Sequence, residues 1–143
     1  MIRTALPTEV TAVTAIDLAC FGREAWTETL VGAAIEDDHR TVLIDDLEAY
    51  GVAAVAGDVA DLERIAVMPS RRRQGVARQL LDALCAAARA QGATRMLLEV
   101  ADDNEAALGF YEAYGFTSIS RRAGYYRGGI DAIVMQLELE EAR

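Results

Sequence analysis

The sequence predicts a single-domain α/β fold, with a mixed central sheet of about six to seven strands flanked by helices. Short apolar runs and amphipathic helical patterns alternate along all 143 residues, without repeats or linkers. Hairpin-sized turns separate the first three strand-like runs, which predicts antiparallel neighbours. A long helical pattern then connects two such runs, and this crossover predicts one parallel pair. The length suits one domain, residues 1–143, with a core of its own.

The helical patterns begin at capping residues and end at glycines. Thr8 and Thr27 are predicted to cap the first two helices. Gly22, Gly92 and Gly115 are predicted to stop the first, third and fourth. The four predicted helices span residues 9–21, 28–37, 75–90 and 104–114.

The strand-like runs are apolar and are bounded by turn residues. Turns at Asp45-Asp46 and Gly57-Asp58 separate the first three of them. The run at 62–67 and the run at 95–100 flank the long third helix, so these two are the predicted parallel pair. The six predicted strands are residues 41–45, 49–56, 62–67, 95–100, 116–123 and 132–139.

Composition narrows the class of protein. The formal net charge is −9, which argues against general nucleic-acid binding and is compatible with a basic peptide as substrate. Hydrophobic residues make up 52%, so disorder is not expected. No apolar run approaches the roughly 18 to 20 residues of a membrane span, and no secretory signal is recognisable. A cytoplasmic protein is therefore expected.

The cysteines and the histidine do not suggest a metal site. Cys20 and Cys85 each lie inside an apolar helical pattern, and we interpret them as reduced core residues. The single His39 has no obvious second ligand, so no metal is expected.

Residues 71–78, RRRQGVAR, are the strongest functional signal, because they place four arginines at a predicted helix start in an acidic chain. Cations oppose the helix dipole there, and a bound anion would make the arrangement favourable. Gly75 and Ala77 are small enough to let a diphosphate approach the backbone. The alternative is a solvated basic loop. A nucleotide P-loop is excluded, because the chain has no lysine.

The pattern Arg72-x-x-Gly75-x-Ala77 resembles the pyrophosphate loop of the GCN5-related N-acetyltransferases. Further matching blocks follow in the same order, and the closing ones resemble the RimI-type ribosomal-protein alanine N-acetyltransferases. The N-terminal block is similar to the substrate-side loop of that group. These blocks are Cys20-Phe21-x-x-Glu24-Ala25-Trp26-Thr27, Met96-Leu97-Leu98-Glu99-Val100, Asn104-x-x-Ala107-x-x-Phe110-Tyr111-x-x-x-Gly115-Phe116, Tyr125-Tyr126 and Asp131-Ala132-x-Val134-Met135.

The resemblance spans nearly the whole chain and implies acetyl-CoA as co-substrate, with no metal. In the family the two parallel strands splay apart, and pantetheine lies between them. The diphosphate would lie on the loop after the first of these strands. Asn104 could cap its helix, contact CoA, or do both. The implied cofactor-binding residues are Ile65, Ala66 and Val67 through their backbone, Arg72, Arg73, Gln74, Gly75, Val76, Ala77, Arg78 and Asn104.

Acetyl transfer needs a neutral amine, donors for the oxyanion and a proton for the leaving thiolate. Glu99 ends an apolar strand, where burial would raise its pKa and favour proton acceptance. The alternative is a strand-end glutamate paired with Arg95 or Arg64. The resemblance implies that Glu99 is the general base, acting directly or through water. It also implies that Tyr111 is the general acid; an ordinary phenol pKa of about 10 is reasonably matched to a thiol of about 8.5.

The sequence identifies the acceptor amine less clearly than it identifies the catalytic residues. A peptide α-amine has a pKa of about 7.7 to 8.0, against about 10.4 for lysine, so deprotonating lysine near pH 7 costs roughly 3 kcal/mol more. The α-amine is therefore weakly favoured. Tyr125 and Tyr126, on a predicted Gly-rich loop, would form one wall of the acceptor groove. Phe21, Glu24 and Trp26 would form the other.

Three functions are consistent with these residues. The first is N-terminal acetylation of a protein or peptide, with a ribosomal protein as one candidate. The second is acetylation of a small amine such as a polyamine, an amino acid or an antibiotic, which a closed or strongly acidic pocket would favour. The third is a non-catalytic acyl-CoA-binding domain, against which Glu99 and Tyr111 argue. A monomer or weak homodimer is expected, without nucleic-acid or membrane partners.

Overall fold

The computed structural model describes residues 1–139, which form a mixed sheet with helices on both faces. The helices are α1 (Val10–Phe21), α2 (Glu28–Glu36), α3 (Val76–Ala90) and α4 (Glu105–Tyr114). The strands are β1 (Ile2–Thr4), β2 (Arg40–Asp45), β3 (Ala49–Ala56), β4 (Val59–Val67), β5 (Arg95–Ala101), β6 (Thr117–Tyr126) and β7 (Ile130–Glu138).

The sheet has the order β1-β2-β3-β4-β5-β7-β6. Only β4 and β5 pair in parallel, and every other neighbouring pair among the described strands is antiparallel. The predicted α/β class, with a mixed sheet of about six to seven strands and one parallel pair, is therefore confirmed. The crossover through α3 produces the parallel pair, as the length of the connection requires.

Successive side chains along each strand point to opposite faces of the sheet, so the hydrophobic core is divided into two clusters, one on each face. On β2, Val42 and Ile44 pack with α1 and α2, whereas Leu43 packs with the cluster on the opposite face. That second cluster is built on α3, whose leucines Leu80, Leu81 and Leu84 are fully buried. Part of α4 packs against the same cluster. The sheet is thus covered on both sides, as in other α/β folds.

Two of the three predicted N-terminal caps hold. Thr27 Oγ1 accepts a hydrogen bond from Leu30 N at 3.2 Å, and Asn104 Oδ1 accepts one from Ala107 N at 3.2 Å. Gly22 ends α1 with a φ of 55°. The predicted cap at Thr8 is wrong, because residues 7–9 form a short 3₁₀ turn. The Glu9 carboxylate instead accepts the Leu6 N–H at 2.8 Å.

Several predicted strand limits are also corrected. The short edge strand β1 was not predicted, because three residues carry too little periodicity. Strand β4 begins at Val59, three residues before the predicted start. Strand β6 continues to Tyr126, so Tyr125 and Tyr126 lie at a strand end and not on a Gly-rich loop. A 3₁₀ turn at Arg127–Gly129 joins β6 to β7. Residues 140–143, the last residues of the predicted domain, lie outside the described part of the chain.

No helix within residues 1–139 is both long and apolar enough to cross a membrane.

Glycine at position 51 allows α3 to pack closely on β3. A Cβ placed there would lie 2.8 Å from Leu84 Cδ1 and 3.3 Å from the Arg64 carbonyl oxygen. Leu84 is fully buried between the helix and the sheet, so it has little room to move. The absence of a side chain at Gly51 thus sets the separation between the helix and the sheet.

We expect Gly51→Ala to lower the free energy of unfolding by about 1–3 kcal/mol, the usual cost of overpacking a dense core. Gly109→Ala is the matched control. Its Cβ would meet nothing within 4 Å, and it lies inside α4, where alanine is the better helix former. Urea denaturation of both variants measures the effect. Equal stability of the two would contradict the close-packing argument.

Candidate active site

The candidate site begins where the parallel strands separate. Strands β4 and β5 are in register only from Val59 to Asp61 on one strand and from Arg95 to Leu97 on the other. Beyond that point β4 keeps its pairing with β3, through Ile65, Ala66 and Val67. No strand of the described chain pairs with the opposite edge of these residues. The divergence leaves a cleft between two strands, at their carboxyl ends, where ligands bind in open α/β sheets.

The arginine cluster surrounds a cavity of about 250 Å³ at one end of this cleft. Gly75 adopts the left-handed conformation, with φ 77°, immediately before α3. The first hydrogen bond of the helix runs from Gln79 N to Gly75 O, so the N–H groups of residues 76–78 have no partner within the helix. The cavity is lined by Val67, Arg71, Arg72, Arg73, Gly75, Val76, Ala77, Arg78 and Phe110.

The four arginines divide into two pairs with different tasks. Arg71 forms ion pairs with Asp45 at 3.5 Å and Glu48 at 3.2 Å, which ties the loop to the turn between β2 and β3. Arg72 Nε donates to the Val67 carbonyl at 3.0 Å. Arg73 and Arg78 form no ion pair with any residue from 1 to 139, so their charges are available to an anion. Free N–H groups and uncommitted guanidinium groups fit a diphosphate.

A second cavity, of about 400 Å³, lies between the diverged strands. It brings both predicted catalytic side chains together with Asn104 and with part of the predicted acceptor wall. Its lining residues are Phe21, Glu24, Leu62, Glu63, Arg64, Ile65, Leu98, Glu99, Val100, Ala101, Asn104, Ala107, Tyr111 and Tyr126.

Glu99 is more exposed than the sequence suggested. Its side chain is 34% accessible and pairs with Arg122 on β6, at 3.0 and 3.1 Å from Nη1 to the two carboxylate oxygens. Neither predicted alternative partner contacts it, since Arg95 binds Gln136 and Arg64 binds Asp17. Arg122 in turn lies 4.1 Å above the ring of Tyr125. The expected burial is therefore wrong, because β6 covers Glu99 with a charged side chain and leaves it partly open to solvent.

Tyr111 projects from α4 into the same cavity. Its ring packs edge-on against Phe110 and Phe116, with centroid separations of 5.3 and 5.6 Å. Burial raises the pKa of Tyr111 to about 12. The phenol therefore stays protonated at physiological pH, but it is a weaker acid than an exposed tyrosine.

A third cavity, of about 480 Å³, lies beside the second, where the two strands begin to diverge. Trp26, Tyr125 and Tyr126 line it together with Glu99, whereas Phe21 and Glu24, predicted on the same wall as Trp26, line the 400 Å³ cavity. Asp61 and Glu63 add carboxylates to its floor. Glu63 forms an ion pair with Arg40: Arg40 Nη2 donates a hydrogen bond to Oε2 at 3.3 Å, and Arg40 Nε lies 2.8 Å from Oε1. Glu99 and Tyr126 line both this groove and the 400 Å³ cavity, so the two are adjacent.

Two predicted binding residues lie outside these cavities. The side chain of Ala66 is buried on the α1 and α2 side of the sheet, and Ala66 is paired with Tyr50 on β3. The Gln74 amide donates to Ser70 O at 3.2 Å within the loop.

A buried ionic network beside the site was not predicted. Asp17 on α1 is fully buried and accepts hydrogen bonds from Arg64, Tyr50 and the Trp26 N–H. Burial alone would raise the pKa of Asp17, but these donors outweigh it and hold the pKa below its usual value. The available signal was the aspartate between Ile16 and Leu18 in an otherwise apolar helix, although its partner could not be read from the sequence.

Metal coordination has no candidate cluster here. Within residues 1–139, no group of three or more His, Cys, Asp or Glu side chains could hold an ion.

Comparison with known proteins agrees with this geometry. Residues 12–116 match the sequence model of the acetyltransferase (GNAT) family. A ribosomal protein bS18-alanine N-acetyltransferase of Salmonella typhimurium is 37% identical over 98 residues, which cover 66% of this chain and 66% of that protein. The structure of the ribosomal-protein-S18-alanine N-acetyltransferase from Escherichia coli has a TM-score of 0.87 at 29% identity, covering 100% of this chain and 96% of that one. Ard1 from Thermoplasma volcanium also has a TM-score of 0.87, at 26% identity, over 99% and 98%.

The chain therefore belongs to the acetyltransferase (GNAT) family, and its class is that of an acyltransferase. Within the family it is similar to the ribosomal-protein-alanine N-acetyltransferases, which confirms the RimI-type resemblance found in the sequence.

Proposed function

We propose that this protein transfers the acetyl group of acetyl-CoA to the N-terminal α-amine of a protein or peptide, and that a ribosomal protein is a candidate acceptor. The supporting observation is the order of three cavities along the diverged strands. An arginine-lined anion cavity lies at one end, Glu99 and Tyr111 face its middle, and an acidic aromatic groove lies at the other end. The relatives named for alanine N-acetylation support the same reaction.

The anion cavity fits the diphosphate of acetyl-CoA. Residues 76–78 would offer backbone N–H groups, while Arg73 and Arg78 would offer charge. The open edge of β4 around Ile65 would hydrogen-bond the pantetheine amides as an added strand would, while the Val67 carbonyl is already bound by Arg72 Nε. Asn104 already caps α4, so its free amide nitrogen is the group left for the ligand.

Acetyl-CoA would supply the thioester. The acceptor nitrogen attacks the thioester carbonyl carbon, and the C–S bond breaks as the C–N bond forms. Glu99 takes the proton lost by the amine, directly or through a water, and Tyr111 gives its phenolic proton to the departing sulfur. With a pKa of about 12, Tyr111 is a weaker acid than a thiol of about 8.5 in water. The same apolar surroundings also raise the pKa of a buried thiol, which reduces this mismatch.

The groove favours a cationic chain as acceptor. Asp61 lines it and forms no ion pair within residues 1–139, whereas Glu63 and Glu99 are each paired with an arginine; the whole chain carries a net charge of −9. Tyr125 is 49% exposed at its rim, so the groove is open to solvent and can admit an extended peptide. Its acidity also suits a small polyamine, which remains the second candidate acceptor.

Acetyl-CoA binding depends on the backbone at Gly75 in this proposal. We expect Gly75→Leu to abolish binding measured by calorimetry, because the side chain would enter the anion cavity. Gly57→Leu is the matched control, since Gly57 also has a positive φ and open space around its Cβ but lies in a distant turn. The assignment is wrong if Gly75→Leu binds as tightly as this control. Charge reversal at Arg73 or Arg78 should weaken binding, and added salt should reduce the difference from wild type.

The proton-transfer roles predict two different losses. Tyr111→Phe should lower turnover by about 10²-fold or more, as for a lost general acid. Tyr114→Phe on the same helix is the control, because Tyr114 hydrogen-bonds Asp82 outside the cleft. Glu99→Gln should lower the rate most at low pH, where the amine is charged, with little change in acetyl-CoA affinity. Full turnover of both catalytic variants across the pH range would mean that positioning alone explains catalysis.

The acceptor is tested with two peptides of one sequence. One has a free N-terminus, and the other is blocked there but carries an internal lysine. We expect acetylation of the first only, with small first residues preferred and basic residues beyond them lowering KM in a salt-dependent way.

Tyr126→Ala should raise the peptide KM, whereas Ile119→Ala, an exposed position elsewhere on β6, should not. Equal rates for the free and blocked peptides would refute the N-terminal assignment. Turnover of spermidine-like amines, with neither peptide acetylated, would establish the small-amine alternative.

A further inference from the structure

We propose that Asp17 and Arg64 are positioning residues of the acceptor site, which act by holding residues 21–26 in place. This segment, here called the acceptor loop, carries Phe21, Glu24 and Trp26. The inference rests on the proposed function, because it assigns the acceptor groove its geometry.

Asp17 binds the far end of the acceptor loop. Its side chain is fully buried, and Oδ2 accepts the Trp26 backbone N–H at 2.6 Å. Oδ1 accepts the Tyr50 hydroxyl at 2.6 Å and Arg64 Nε at 2.9 Å. Every oxygen of this carboxylate is therefore hydrogen-bonded, and one of the bonds goes directly to the loop.

Arg64 binds the loop at three further points. Its Nη2 donates to Asp17 at 2.8 Å and also to the Glu24 carbonyl at 2.8 Å. The guanidinium carbon lies 3.9 Å from the Phe21 ring centroid and 5.2 Å from that of Trp26. A planar guanidinium can serve two acceptors and stack on rings at once, which an ammonium cannot.

The acceptor loop has little regular structure of its own. It consists of a short 3₁₀ turn at Gly22–Glu24 followed by extended residues, with a hydrogen bond from Ala25 N to Gly22 O. Phe21 is the last residue of α1, and neither sheet pairing nor an α-helix holds residues 22–26, which lie between α1 and α2. The Asp17–Arg64 pair supplies the contacts that such a segment otherwise lacks.

Net stability does not by itself account for this pair. Desolvation of two charges consumes much of their attraction, so a buried ion pair often stabilises no more than apolar residues would. The contacts that the two side chains make beyond each other go mainly to the acceptor loop. Because Trp26 faces the groove and Phe21 faces the catalytic cavity, a displaced loop would change acceptor binding and leave the anion cavity intact.

Trp26 is the only tryptophan of the chain, so its fluorescence reports directly on the acceptor loop. For Arg64→Met we expect red-shifted emission and stronger quenching by acrylamide. The peptide KM should rise by about tenfold, which is the effect expected from the loss of one charged hydrogen bond. The acetyl-CoA affinity should be unchanged. Arg64→Lys should restore only part of the change, because lysine cannot make the forked contacts.

Arg3→Met is the matched control. Arg3 also holds a carboxylate in a forked pair, with Glu9 at 2.8 and 2.6 Å, but makes no contact with the acceptor loop. Its emission and peptide KM should equal those of wild type.

The double variant Asp17→Asn/Arg64→Met separates positioning from stability. It leaves no unpaired buried charge, so its melting temperature should recover relative to Arg64→Met alone. The raised KM and the shifted emission should persist. Recovery of all three together would show a merely structural role and overturn the proposal.

Two failures can be told apart. Wild-type protein that acetylates no peptide would refute the proposed function. Unchanged Trp26 emission and peptide KM in an active Arg64→Met variant would refute the positioning role alone.

Discussion

The divergence of β4 from β5 is the constraint on which the site depends. The two strands pair for three residues, up to Asp61 and Leu97, and then separate. An unpaired strand edge inside a sheet leaves backbone donors and acceptors without partners, and a ligand with amide groups can satisfy them. The Tyr111 side chain lines one cavity in this gap, and the acceptor groove lies next to it. A sheet paired along its whole length would have no room for either.

Charge is distributed to match this cleft. The chain is strongly acidic, yet its arginines concentrate at the start of α3, where the helix dipole also favours an anion. Arg71 and Arg72 hold the loop, and Arg73 and Arg78 form no ion pair with any residue from 1 to 139. Carboxylates line the opposite groove. The cleft therefore has one end suited to a polyanion and one suited to a cation, which is the polarity that transfer from CoA to an amine requires.

Contacts from distant elements set the shape of the groove. Asp17 on α1 and Arg64 on β4 together hold the acceptor loop, and Arg122 on β6 holds Glu99 while stacking on Tyr125. Both walls are thus stabilised by guanidinium groups that bind a carboxylate and an aromatic ring at the same time. Such contacts depend on planar, forked donors, and this chain has arginine as its only basic residue besides one histidine.

The sequence alone determined the local features: the helix caps at Thr27 and Asn104, the α/β class, the parallel crossover and the arginine-rich turn at Gly75 that opens α3. These follow from short-range periodicity, capping and turn chemistry, so they can be read from neighbouring residues. Only the tertiary structure decided that Asp17 pairs with Arg64, 47 residues away, and that Glu99 is exposed beside Arg122. Which arginine pairs with a given carboxylate depends on how separate helices and strands pack, and the sequence offers many arginines as possible partners. Strand divergence likewise could not be read from the sequence. It begins beside a β-bulge at Glu63, where β4 has one residue more than β3, and a bulge is defined only once the register of the two strands is fixed.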